Sequence, residues 1–212
     1  MVIEDSKRTP GYPVIFNEAD LIEINMQDDG FRYWGIAIYR TTYKSKSDWE
    51  EFLRRFLGRV RRTLEYYKGL DIWDSFRPTV MEDKSRFDGA TPTQIRDAFK
   101  EWARTAYETE QGVTYERAEW AYRARYRLCI LVNEEAVRSV LEIPEERLDK
   151  LNTTRFMVMI NGRWVPEIAE GEEDDDEYEL LYGYTREDVG WIKVHYDRAQ
   201  IIASTTIRDG SD

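Results

Sequence analysis

Trp34-Gly-Ile-Ala-Ile-Tyr-Arg-Thr-Thr-Tyr43, followed by Ser47-Asp-Trp-Glu-Glu-Phe-Leu-Arg-Arg-Phe56, decides how the rest of the chain is read. The first stretch is rich in β-branched and aromatic residues and alternates as a strand does. Ile36, Ile38 and Arg40 share one face, and Ala37, Tyr39 and Thr41 the other. The second stretch opens a helix in which Trp49, Phe52, Leu53, Phe56, Val60 and Leu64 recur at helical spacing. Burying that stripe is worth on the order of 10 kcal/mol before conformational entropy is subtracted. Ser47 and Glu50 predict a capping box at its start, and Lys68-Gly69 its end. Gly58 weakens this helix by about 1 kcal/mol relative to alanine, unless close packing explains it. A second unit of the same kind runs from Arg125 to Val132, then through a cap at Asn133 into Ala136, Val137, Val140 and Leu141. Two tandem strand–helix–strand crossovers predict an α+β fold. The expected form is a ferredoxin-like split βαβ sheet with helices on one face, an inserted helix and extra C-terminal strands.

The remaining elements fit around these two units. Phe76 to Met81 reads as a strand, and Pro78 assigns it to an edge or a bulge. Thr91-Pro92-Thr93-Gln94 opens a helix that buries Ile95, Phe99, Trp102 and Ala106. Tyr115 to Tyr122 reads as helical, and Pro144 restarts a short helix through Leu151. Phe156-Met-Val-Met-Ile160 is a strand. Asn161-Gly162 after it signals a type I′ hairpin returning through Arg163-Trp164-Val165. Trp191 to Tyr196 is a further strand, and Ile201 to Ala203 a last strand or a docked tail. Pro10, Gly11 and Pro13 make residues 1–30 an irregular N-terminal arm packed on the domain. Residues 31–205 form a single α+β domain, with an acidic mobile loop at about 168–180, and 206–212 a frayed tail.

Composition narrows the function classes. Hydrophobic residues make up 42% and aromatics 14%, enough for a large core. The net charge of -11 works against non-specific binding to nucleic acid or anionic membranes. There is no signal-peptide apolar stretch, no run of membrane-spanning length and no lipidation motif, so a cytoplasmic location is expected. The single cysteine, Cys129, lies within a strand and reads as a buried, inert thiol. No nucleophile elbow, phosphate-binding glycine loop, dinucleotide fingerprint or paired-cysteine site is present, so no cofactor is expected. One histidine builds no histidine-rich metal site, and the acidic run from Glu170 lacks calcium-loop spacing, so no metal is expected either.

Alternation brings basic and aromatic groups to one sheet face. Arg125, Arg127 and Cys129 share a face of one strand; Trp191, Lys193, His195 and Asp197 share a face of another. If the two faces coincide, Arg40, Arg125, Arg127, Trp191 and Lys193 form a surface for an anionic ligand or peptide. The competing reading is a solvated face of salt bridges. His195, oriented by Asp197, is the candidate acid–base group, with Tyr39 and Arg127 beside it. Arg54, Arg55, Arg59, Arg61 and Arg62 suggest either a seat for the acidic loop or nucleic-acid binding through phosphates, against which stand Glu50, Glu51 and Glu65 on the same helix and the lack of an RNP-type glycine–aromatic motif.

Trp34 to Tyr43 with Trp49-Glu-Glu-Phe52, Tyr126-Arg-Leu-Cys129, the acidic loop and Asp188-Val-Gly-Trp-Ile-Lys-Val194 together resemble a family of uncharacterised intracellular proteins of filamentous fungi. The resemblance covers most of the chain after residue 30. It implies a fungal source and an intracellular setting, and assigns no activity. The expected function is therefore a non-catalytic binding or interaction protein using an exposed sheet face or an aromatic cleft. Its partner would be a protein, a small anionic ligand or a second copy of the chain. The alternative is a cofactor-independent small-molecule enzyme of the dimeric α+β barrel type.

Overall fold

The computed structural model describes residues 6–10, 16–112, 114, 124–145, 155–165 and 189–199. The strands are β1 (Ala37–Arg40), β2 (Thr79–Met81), β3 (Leu128–Val132), β4 (Phe156–Asn161) and β5 (Trp191–His195). They form one mixed sheet in the order β2-β1-β3-β4-β5. β1 runs parallel to both β2 and β3, whereas β3–β4 and β4–β5 are antiparallel. The helices are α1 (Glu18–Asp29), α2 (Lys46–Tyr66), α3 (Lys84–Phe87), α4 (Pro92–Ala106), α5 (Ala124–Arg127) and α6 (Glu134–Leu141). A 3₁₀ turn spans Leu70–Ser75, and a π-helical turn, Tyr107–Gln111, continues α4.

The α+β class stands, but the strand order is not ferredoxin-like. A split βαβ sheet separates the two strands that flank its first helix by a third strand. Here β1 and β2 are direct neighbours, in register from Ala37↔Thr79 to Tyr39↔Met81. The step from β1 to β2 goes one way across the sheet, and the step from β2 to β3 goes back past β1. Right-handed crossovers that step in opposite directions put their helices on opposite faces. α2, with α6, α1 and the 3₁₀ turn, covers the face of Ile38, Ile130, Val132, Met157 and Met159. Phe87 and the Ile95 and Phe99 side chains of α4 cover the face of Ala37, Tyr39, Cys129, Leu131, Val158 and Ile160. The open face expected for the sheet is therefore filled with apolar side chains along β1, β3 and β4.

Several local expectations shift by a few residues. α2 begins at Lys46 and is capped by Ser45, whose hydroxyl accepts from the Asp48 amide at 3.2 Å; Ser47 is already inside the helix. α4 starts with the expected Thr91/Gln94 capping box, and Asn133 caps α6. Residues 18–29, expected to be irregular, are α1, with a capping box between Asn17 and Asp20. Arg125 and Arg127 lie in α5 and not on the strand, which begins at Leu128. The chain after Asn161-Gly162 does not return as a strand through Arg163-Trp164-Val165. β4 pairs instead with β5, as Phe156↔His195 through Ile160↔Trp191. The helical reading of 115–122, the acidic loop, Ile201 to Ala203 and the tail fall outside the described residues.

Candidate functional site

α4 carries two neighbouring rows. Phe99, Ala103 and Tyr107 form an apolar row at four-residue spacing, and Lys100 and Arg104 a cationic row one position further round. Tyr126 of α5 and the turn residues Gly162 and Arg163 face them, and together these groups enclose a pocket of 350 Å³. Its wall is well packed: Phe99 is 1% exposed, Ala103 6%, Tyr107 3% and Tyr126 4%. Its rim is wet, with Lys100, Arg104 and Arg163 all exposed. Gly162 lets the turn close on α4. A Cβ there would lie 2.6 Å from the Phe99 ring, and its amide donates to the Arg127 carbonyl at 2.8 Å. The nearby Glu101 carboxylate is held by Arg86 at 3.1 Å.

A polar network fixes the back of that wall. Arg125, buried to 3%, donates from Nε and Nη2 to the two Glu110 oxygens at 2.9 and 2.8 Å, and from Nη2 to the Thr79 hydroxyl at 2.9 Å. It also donates to the Arg77 carbonyl. The Tyr126 hydroxyl donates to Glu110 and accepts from the Gln111 amide, both at 2.7 Å. Burial, and then the Glu110 carboxylate, push the Tyr126 phenol up, so it remains a neutral donor. Gln111 completes the network through the Arg32 and Tyr33 amides at 2.7 and 3.2 Å and the Tyr33 carbonyl at 3.0 Å. The π-helical turn is what brings Glu110 and Gln111 inward, and Gly112 at φ 68° ends it. Tyr126 packs against the tilted Tyr107 ring, with centroids 3.9 Å apart, and stacks on Trp102 at 5.8 Å.

The residues expected from sequence occupy several separate places. Arg40 is buried at the end of β1, over the Tyr43 ring at 4.4 Å and the Trp49 ring at 5.1 Å. It donates to the Thr42 carbonyl at 2.8 Å and to Glu82 at 3.3 Å, and Glu82 also accepts from the Trp49 indole at 2.7 Å. Parallel sheets commonly bind ligands at the carboxyl ends of their strands where the order reverses, here between β1 and β3. That crevice is closed by Thr41, bonded through both its amide and its hydroxyl to the Val132 carbonyl, and by Thr42, which donates to Glu134 at 2.7 Å.

Tyr39 is 1% exposed and packs edge-on against Phe87. His195 is exposed on β5. The strand stops there, because the Arg198 and Ala199 amides both turn back to the His195 carbonyl. Alternation therefore does not carry on to Asp197, which lies beside Arg59 at 3.6 Å and Arg155 at 3.8 Å. Lys193 sits over the Phe156 ring and pairs with Glu135 at 3.1 Å; Trp191 is half-buried against the α4 layer. Arg127 is half-buried and meets the pocket through its backbone, and Arg125 stands behind it. The α2 arginines are drawn into ion pairs: Arg54 and Arg55 with Glu51, whose carboxyl they pull down to about 2, Arg61 with Glu65 and Arg62 with Glu145. Cys129 is fully buried, as expected, and burial pushes its thiol up.

Among the described residues no group of three or more His, Cys, Asp or Glu side chains is placed to hold a metal ion. Among them, too, no helix is long and apolar enough to cross a membrane. Compared with protein-family models, curated proteins and solved structures, the chain matches none. Sequence reasoning passed over Lys100 and Arg104. Their four-residue spacing beside the Phe99 stripe was the available signal, but it points to a pocket only once the Gly162 turn is known to face it.

Proposed function

We propose that this chain is a non-catalytic binding protein whose working site is the cleft between α4 and the turn after β4, with a small organic anion as ligand. The observation that carries the reading is the pairing of a cationic rim, Lys100, Arg104 and Arg163, with a buried aromatic wall, in a chain of net charge -11. A concentration of positive charge against the overall sign of the protein selects anions. Apolar surface beside it favours a ligand with an organic body over a bare ion. The absence of reaction chemistry from the proposal rests on placement: Tyr39, Arg127, His195 and Asp197 do not gather around one enclosed space. A cytoplasmic setting belongs to the same proposal, supported by the single buried cysteine and by the resemblance to intracellular fungal proteins.

The test is a protein-observed NMR titration with ring-bearing carboxylates, sulfonates and phosphates. Amide shifts are expected at Ala103, Tyr126 and Gly162. Lys100→Glu with Arg104→Glu should abolish them while leaving the far-UV circular dichroism unchanged. A panel that moves none of these amides removes the proposal.

A further inference from the structure

Ser6-Lys7-Arg8-Thr9-Pro10 sets a threonine between two cations and a proline. Charge holds this segment to the domain. The Arg8 guanidinium, 3% exposed, donates from Nη1 to Asp20 at 2.6 Å and from Nε and Nη2 to Asp71 at 3.2 and 2.7 Å, and its Nη2 lies 2.8 Å from Glu23. Lys7 pairs with Glu23 at 2.6 Å and with Asp71 at 3.0 Å. Two positive charges therefore face three negative ones, and both cations already have acceptors. Ser6 is buried; its hydroxyl donates to Asp20 and accepts from the Arg8 and Thr9 amides at 3.2 and 3.0 Å. Two successive hydrogen bonds through that hydroxyl keep the Thr9 backbone within about 6 Å of the Asp20 carboxylate. Thr9 is half-buried and Pro10 exposed. A residue before proline is driven to extended backbone, the form in which protein kinases bind their substrates. Proline brings no N–H, so it suits an enzyme cleft that offers no acceptor at that position. Thr91-Pro92, the other Thr-Pro step in the sequence, has no cation at the two positions before it, and Pro92 is fixed at the start of α4.

We infer that Thr9 is a phosphorylation site for a proline-directed protein kinase, and that the phosphate releases residues 6–10 from α1 and the 3₁₀ turn. In the transfer the Thr9 Oγ bonds to the γ-phosphorus of a nucleoside triphosphate, and the bond from that phosphorus to the bridging oxygen breaks. The diphosphate leaves and the hydroxyl proton passes to the kinase. The product places close to two negative charges beside Asp20, Glu23 and Asp71, a set that already outnumbers its cations. The phosphate repels these carboxylates, or takes Arg8 from them and strands the buried Asp20; both favour the released segment. The test incubates the full chain with ATP, Mg²⁺ and a purified proline-directed kinase, locates the phosphate by mass spectrometry and follows the Arg8 Nε–H signal by NMR at pH 7. Phosphate is expected on Thr9, and its incorporation should fall at least tenfold in Pro10→Ala. The Arg8 Nε–H signal should vanish as Thr9 is modified and return after phosphatase treatment. Phosphate on Thr91 alone, or on neither threonine, overturns the site, and equal incorporation in Pro10→Ala overturns the class of kinase. Phosphate on Thr9 with the Arg8 signal unchanged overturns the release.

Discussion

Gly58 lies in the middle of α2, off its apolar stripe, with nothing pressed against it. A Cβ there would meet only the Arg62 guanidinium, at an ordinary 3.6 Å. The glycine costs the helix about 1 kcal/mol relative to alanine. Gly58→Ala should therefore stabilise the protein by about that amount and raise its melting temperature by about 2–4 °C, read by calorimetry. Gly69 is the contrasting case. A Cβ there would lie 2.3 Å from the Ala19 Cβ, so Gly69→Ala should push α1 off the end of α2 and lower the melting temperature. The sequence shows both glycines equally well. It marks Gly69 as a helix end, which it is, but not as the point where α1 docks, because that contact comes from a distant part of the chain. Lys68, just before it, takes the left-handed conformation at φ 52° and lets the chain turn there.

Elements were legible where their stabilising groups are local. The Thr91 and Asn133 caps depend on atoms within four residues, and both were readable. α1 was hidden because one of the residues it buries is charged. Asp20 is 4% exposed and receives the Ser6 hydroxyl and, at 2.6 Å, the Arg8 guanidinium. Arg8 also reaches Asp71 at 2.7 Å and Glu23 at 2.8 Å, so the N-terminal segment is held to α1 and the 3₁₀ turn by charge and not by apolar contact. Burial works to raise the carboxyls of Asp20 and Asp71. Ser6 and Arg8 on the first, and Arg8 and Lys7 on the second, outweigh it and hold both below the usual aspartate range. A carboxyl with a lowered folded-state pKa contributes stability in full above its unfolded value of about 3.9, and loses it as the pH falls through the folded value. Residues 6–10 should thus stay docked at neutral pH and separate as the pH drops below about 4, seen as loss of the protected Arg8 Nε–H signal in NMR. Arg8→Met should cost about 3 kcal/mol at pH 7, since it strands a buried carboxylate, and should flatten the acid limb of the stability curve. An acid limb as steep as that of the unaltered protein would count against this account.

At the scale of the whole molecule, the class of fold could be read and the wiring could not. Each strand–helix unit showed its own periodicity, but nothing local states which way a crossover steps. β2 is three half-buried residues beside β1, too short to mark its position, and that position decides whether α4 joins α2 or lies on the opposite face. The sheet is in consequence the shared floor of two apolar layers, and Cys129 lies at its centre, in register with Ala37 of β1 and Ile160 of β4. Its thiol is 0% exposed and, with its pKa pushed up by burial, presents almost no thiolate. Any thiol reagent must wait until α4 leaves the sheet. If the two layers form one cooperative unit, α4 cannot leave while α2 stays. Labelling of Cys129 should then follow the same urea midpoint as the loss of helical ellipticity, and Gly58→Ala on the opposite layer should slow it about fivefold, the factor that corresponds to about 1 kcal/mol. Labelling that runs ahead of the ellipticity change and ignores Gly58→Ala would show that the α4 layer opens by itself. The cleft, built on α4, would then open with it, and ligand binding would suppress Cys129 labelling without changing the unfolding of α2.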